Sequence, residues 1–126
     1  MIEYRTKPLS SDVLLGELGF VCGELGRHGF AELLVSFGWD SNLPIDEMWK
    51  EQAVPSEGVV AYVQKSEHAV IVQIGNADIF VEAEAFRFTL CHEGDAHVSG
   101  AMPLASELVQ RWAQLGYEPY AVEQDA

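Results

Sequence analysis

Two stretches of the chain repeat their apolar residues with a helical period. In SSDVLLGELGFVCGELGRHG, Leu14, Leu18, Val21 and Leu25 fall at spacings of four, three and four, and Leu15 and Cys22 widen the stripe. Ser10, Ser11 and Asp12 suit the N-cap, and Gly29 is a natural stop after His28. The same wheel assigns Glu17, Glu24 and Arg27 to the polar side. In MPLASELVQRWAQLGYEP, Leu104, Leu108, Trp112 and Leu115 form a second stripe, with Pro103 in the first turn and Gly116 just past the end. Helices are expected over about 10–27 and 103–115.

The stretch between them reads mostly with a period of two. In FAELLVSFGWD, Leu33, Val35 and Phe37 alternate with Glu32, Leu34 and Ser36, which predicts a strand. NLPIDEMWKEQ reads as a short helix with Pro44 in its first turn, within a connection from Asp40 to Gly58. Residues 58–65, GVVAYVQK, are β-branched and aromatic, and predict a strand. Ser66 and Glu67 then turn the chain into a further strand, HAVIVQI, and Gly75-Asn76-Ala77 turns it again into DIFVEAEAFRFTLCH, one long strand or two short ones. YEPYAVE suits an edge strand, where Pro119 is tolerated. Strands cluster rather than alternate with helices. The expected fold is therefore α+β: one domain over 1–126, with an antiparallel sheet and the two main helices packed on one face.

The first helix carries GELG twice, so Gly16, Gly19, Gly23 and Gly26 line up beside the apolar stripe. Each interior glycine costs a helix about 1 kcal/mol relative to alanine. Close packing of that face against another element is the expected reason.

Composition narrows the function. The chain has 126 residues, 48% of them hydrophobic and 21% charged, an ordinary globular balance. No apolar run is long enough for a membrane span, and MIEYRTKPLSSD lacks the layout of a signal peptide, so a cytoplasmic protein without a membrane partner is expected. Two separate cysteines, Cys22 and Cys91, make no disulfide framework. Seven Lys and Arg face twenty Asp and Glu, a net charge of −13. That field repels phosphate backbones, which disfavours nucleic acid, and attracts a basic protein.

Candidate chemistry concentrates in CHEGDAH, residues 91–97. On a strand, Phe86, Phe88, Leu90 and His92 share one face and Arg87, Thr89, Cys91 and Glu93 the other. Asp95 and His97 point the same way if the chain resumes extended. His92, Glu93, Asp95 and His97 are the candidate metal ligands, because a transition cation accepts imidazole and carboxylate together. A Cys91 nucleophile needs a base, and the neighbouring His92 is expected to face away from it. No phosphate loop, dinucleotide fingerprint or serine elbow occurs, and no cofactor is expected. Paired acids are frequent in so acidic a chain, and those nearest exposed aromatics are candidates for partner binding: Trp39, Asp40, Asp46, Glu47 and Trp49, with Glu82 and Glu84.

In length, α+β order, strong acidity, aromatics near loops and lack of a catalytic motif, the chain resembles the small acidic immunity proteins of bacterial polymorphic-toxin systems. The resemblance implies a non-catalytic module that binds a basic toxin or nuclease and blocks it. The alternative is a small metal-binding or hydrolytic domain centred on CHEGDAH. A homodimer is the third expectation.

Overall fold

Helix α1 (Ser11–Arg27) starts where Ser10 accepts the backbone N–H of Val13 at 3.3 Å, one of the donors a helix start leaves unpaired. It ends at His28, followed by Gly29 at φ 95°. The computed structural model describes residues 2–100 and 103–123. Seven strands run antiparallel: β1 (Ile2–Arg5), β2 (Glu32–Phe37), β3 (Gln52–Pro55), β4 (Ile79–Ala83), β5 (Phe86–Leu90), β6 (Ala96–Gly100) and β7 (Tyr120–Glu123). Their order across the sheet is β3-β2-β4-β5-β6-β1-β7. Helices α2 (Val59–His68) and α3 (Pro103–Gln114) complete the α+β fold, with a 3-10 turn at Ser56–Gly58 leading into α2.

The period of two separates the two faces of the sheet. Val35, Val81, Phe88 and Val98 stand in one row across four strands, all buried. The next row, Ser36, Phe80, Thr89, His97 and Arg5, points to the other face. Leu14, Leu18, Val21 and Leu25 of α1 and Leu104, Leu108 and Trp112 of α3 join the same buried cluster. Each large side chain so buried contributes about 2 kcal/mol.

Glu17 departs from its expected place on the polar side of α1. Only 2% of it is exposed. It accepts the Trp112 indole N–H at 2.9 Å and two Arg111 N–H groups at 3.2 and 2.9 Å, which ties α1 to α3. Arg111 in turn lies 4.0 Å over the Phe20 ring. The glycine stripe divides between two environments. Gly19 and Gly26 lie against Val60 and Ser56, whereas Gly16 and Gly23 face open space.

The middle of the chain corrects three expectations. Residues 58–65 do not form a strand. They belong to the 3-10 turn and α2, where Val59, Val63 and Ser66 lie buried at helical spacing. HAVIVQI is not a strand: His68 ends α2, and the rest is irregular, with Val70 at φ 59° and Val72 and Ile74 buried beside only an isolated Ile74–Ala77 bridge. NLPIDEMWKEQ makes a single turn, with the Glu47 and Met48 N–H groups on the Pro44 carbonyl, before Trp49 leaves at φ 63°. The chain also supplies three strands that the pattern did not announce: β1 at its N-terminal end, β3, and β6 after the CHEGDAH turn. DIFVEAEAFRFTLCH resolves into two strands, β4 and β5, with Glu84 in the turn between them at φ 50°.

Candidate functional site

One end of the sheet gathers the CHEGDAH side chains together with Asp78. Asp78 sits just ahead of β4, Cys91 just after β5 and Asp95 just ahead of β6. The ladder closes there through Cys91 N–H to the Asp95 carbonyl at 2.8 Å, and Gly94, at φ 89°, makes the turn between them. Beyond β2, the Trp39 carbonyl accepts the Asp78 N–H at 2.9 Å, which brings the Trp39–Asp40 loop to the same end.

Of the four metal candidates, Asp95 and His97 do come together: His97 Nε2 lies 2.8 Å from Asp95 Oδ2. His92 does not join them. β5 ends at Leu90, so His92 leaves the strand alternation, and both its backbone N–H and its Nδ1 meet Asp78 Oδ1 at 2.7 Å. Glu93 is 76% exposed at the side chain and 3.9 Å from His92 Nε2. The four residues therefore divide into two Asp–His pairs, Asp78–His92 and Asp95–His97, and Cys91 stands between them. Cys91 is close to both: the ligand atoms of Asp78, Cys91 and His92, and those of Cys91, Asp95 and His97, each fall within 4.8 Å of one another.

The electrostatics of the two pairs differ in origin. The hydrogen bond to Asp78 raises the His92 imidazole above its ordinary value against the opposing effect of burial, with the charges of Asp78, Asp40 and Glu93 adding to it. Burial pushes the Asp95 carboxyl up, but the hydrogen bond and charge of His97, with the Cys91 thiol, hold it below its ordinary value. Burial pushes the Cys91 thiol up to about 12, against a backbone hydrogen bond from Glu93 that favours the thiolate. Contrary to expectation, His92 does reach Cys91, at 3.8 Å from Nδ1 to Sγ. That same Nδ1 is already on Asp78, however, so the carboxylate and the thiol compete for one nitrogen. A relay of nucleophile, base and orienting acid requires the two ring nitrogens to do separate jobs.

Behind the Asp95–His97 pair stands a carboxylate from a distant strand. His97 Nδ1 lies 3.3 Å from Glu3 Oε1, and that oxygen accepts the Arg5 Nε–H at 2.7 Å. Neither Asp78 nor Glu3 could be found by local spacing, because the ladder brings them in from 14 and 94 residues away (92 − 78 and 97 − 3). Cys91, Asp95 and His97 did carry a signal. Their odd numbering places them on one face if β5 and β6 form a hairpin closed by Cys91 and Asp95.

The partner-binding candidates fall into two groups. Trp39 and Trp49, 53% and 41% exposed, meet edge to face at 5.1 Å between centroids. Asp40, Asp46 and Glu47 are exposed in the same loop, and Glu47 reaches Lys50 at 3.2 Å. A side chain at Gly38 would collide with both the Trp49 indole and the Phe80 ring, so these two rings close over the strand end together. Arg87 lies 4.3 Å over Phe80 and pairs with Glu82 at 2.9 Å, continuing the patch along the sheet. Glu84 leaves the strand in its turn, yet it lines with Glu82, Glu3 and Arg87 a cleft of about 320 Å³.

Compared with known proteins, the chain matches no family model, no curated protein and no solved structure. Among the described residues, no helix is long and apolar enough to cross a membrane.

Proposed function

We propose that the chain is a non-catalytic acidic module that docks on a basic protein. The observation that carries this reading is the exposed Trp39–Trp49 pair beside Asp40, Asp46 and Glu47. Two indoles that brace each other lose little freedom on binding, and tryptophan is among the residue types that dominate interface energies. The surrounding acids steer a cationic partner and set its orientation. The reading takes α1 and α3 to lie on one face of the sheet, supported by the Glu17 bridge between them. The opposite face, with Phe80, Glu82 and Arg87, then continues the docking surface.

The partner class follows from the resemblance to immunity proteins: a basic toxin or nuclease, met in the cytoplasm. Two free, buried cysteines suit a reducing compartment. The hydrolytic alternative finds less support, because burial keeps the Cys91 thiol protonated and the imidazole nitrogens beside it, His92 Nδ1 and His97 Nε2, are already on Asp78 and Asp95.

The test is co-expression with the basic products of genes flanking its own, followed by titration calorimetry at low and high salt. A stoichiometric complex that weakens as salt rises is expected. Trp39→Ala with Trp49→Ala should weaken it by about 100-fold or more, and Asp40→Asn with Asp46→Asn should mainly slow association. Self-association in place of such a complex, or a complex indifferent to both salt and the tryptophans, would overturn the reading.

A further inference from the structure

We infer that Cys91 Sγ, an Asp95 carboxylate oxygen and His97 Nε2 form a binding site for a divalent transition-metal cation of the zinc type, with Glu3 holding His97 from behind. This does not depend on the docking surface described above.

Four observations converge on these residues. First, their placement is set by the sheet. Leu90 pairs with Ala96 and Cys91 closes on Asp95, so Cys91, Asp95 and His97 project from one face at one end of the β5–β6 hairpin. Their ligand atoms already lie within 4.8 Å of one another. In a tetrahedral zinc site with ordinary bond lengths, ligand atoms stand about 3.5 Å apart, so modest side-chain rotation closes the set.

Second, Asp95 is 8% exposed and its Oδ1 is buried with no hydrogen-bond partner. Buried carboxylate oxygens are almost always satisfied, and a cation bound beside Cys91 and His97 would satisfy this one. Third, His97 is arranged as metal-binding histidines usually are: one ring nitrogen faces the candidate ligands and the other meets a carboxylate, Glu3, itself fixed by Arg5. Fourth, a thiolate, an imidazole and a carboxylate together suit a borderline-soft cation better than calcium or magnesium. Binding would release the Cys91 proton, since a coordinated thiol is held as thiolate.

The Asp78–Cys91–His92 set is the rival assignment. Each set already joins its histidine to its carboxylate, but the rival is weaker because Asp78 has no buried oxygen left without a partner, whereas Asp95 Oδ1 lacks one, and Asp78 Oδ1 also takes the His92 backbone N–H. A metal at Cys91–Asp95–His97 would clamp the β5–β6 turn and, through Glu3, fasten β1 to β6.

The test uses the whole protein loaded with Co2+ and, separately, Zn2+, then freed of excess metal. One equivalent of metal is expected, with a thiolate-to-cobalt charge-transfer band. Cys91→Ser and His97→Gln should abolish the band, whereas Cys22→Ser and His92→Gln should keep it. Glu3→Gln should weaken zinc affinity by about tenfold or more. Because Cys91→Ser or His97→Gln could unfold the chain, cadmium-113 NMR of the wild type provides a second readout. The metal should correlate with the Cys91 β protons and the His97 ring protons. Failure to retain stoichiometric metal would leave Asp95 Oδ1 to an ordered water and overturn the site. A band or correlation that follows His92 rather than His97 would overturn the assignment in favour of the Asp78 side.

Discussion

Glu17 offers a sharp test of what holds α1 to α3. Its carboxylate is almost fully buried and takes three N–H groups, from Trp112 and Arg111. Glu17→Ala would leave the Trp112 indole N–H buried with no acceptor, a cost of about 1–3 kcal/mol. It would also leave Arg111 without its counter-ion. Removing one partner of a fully buried ion pair costs about 3–5 kcal/mol, but the Arg111 side chain is 35% exposed, so water recovers much of that. Together the expected loss is about 3 kcal/mol. Glu17→Gln preserves the shape and an oxygen for the indole N–H, losing mainly the charge, so about 1 kcal/mol is expected. Urea unfolding followed by tryptophan fluorescence reads both. With a slope of about 1.5 kcal/mol per molar, the midpoint should fall by about 2 M for Ala and less than 1 M for Gln. If Glu17→Gln were as damaging as Glu17→Ala, the carboxylate charge, which both variants lack, rather than the side chain's shape would hold the helices. If Glu17→Ala cost under about 1 kcal/mol, the bridge would be dispensable and the reasoning wrong.

Other outcomes follow from single contacts. Gly100 stands at φ 138° with a would-be Cβ 2.3 Å from the Ala85 carbonyl oxygen, so Gly100→Ala should lower stability by at least about 3 kcal/mol or prevent folding. Gly23 lies inside α1 with open space around it, so Gly23→Ala should raise the melting temperature, by the equivalent of about 0.5–1 kcal/mol; a lower melting temperature would contradict that open space. Burial pushes both the Cys22 and Cys91 thiols up to about 12, so at pH 8 only about one thiol in ten thousand is ionised. A disulfide exchange reagent should therefore react with neither in the native, metal-free protein and with both in denaturant; rapid native labelling would contradict their burial. Acrylamide should quench Trp39 and Trp49 but not Trp112, so a Trp39→Phe, Trp49→Phe double variant should show almost unquenchable emission.

The sequence alone determined the elements whose own surface fixes their partner face. The stripe Leu14–Leu25 and the stripe Leu104–Trp112 have one way to be buried, and the alternation in Glu32–Phe37 and Phe86–Leu90 has one face to hide, so α1, α3, β2 and β5 were legible locally. So was the acidity. The remainder depended on neighbours far away in the chain. Val59–His68 has β-branched residues that favour a strand, yet Val59, Val63 and Ser66 also repeat as a helix, and packing of that stripe beside α1 chose between the two. Ile2–Arg5 and Gln52–Pro55 are too short to declare themselves. They are strands because β6, β7 and β2 offer them hydrogen-bonding edges.

The candidate site divides along the same line. CHEGDAH showed where ligand-type side chains are dense, but density says nothing about which of them meet. Only the closed hairpin put Cys91, Asp95 and His97 on one face, turned His92 away to Asp78, and brought Glu3 in from the other end of the chain. Glu17 makes the same point from inside the core. A helical wheel gives the direction of a side chain, while its burial depends on what occupies that direction, and here the occupants are Arg111 and Trp112 of a helix more than ninety residues later.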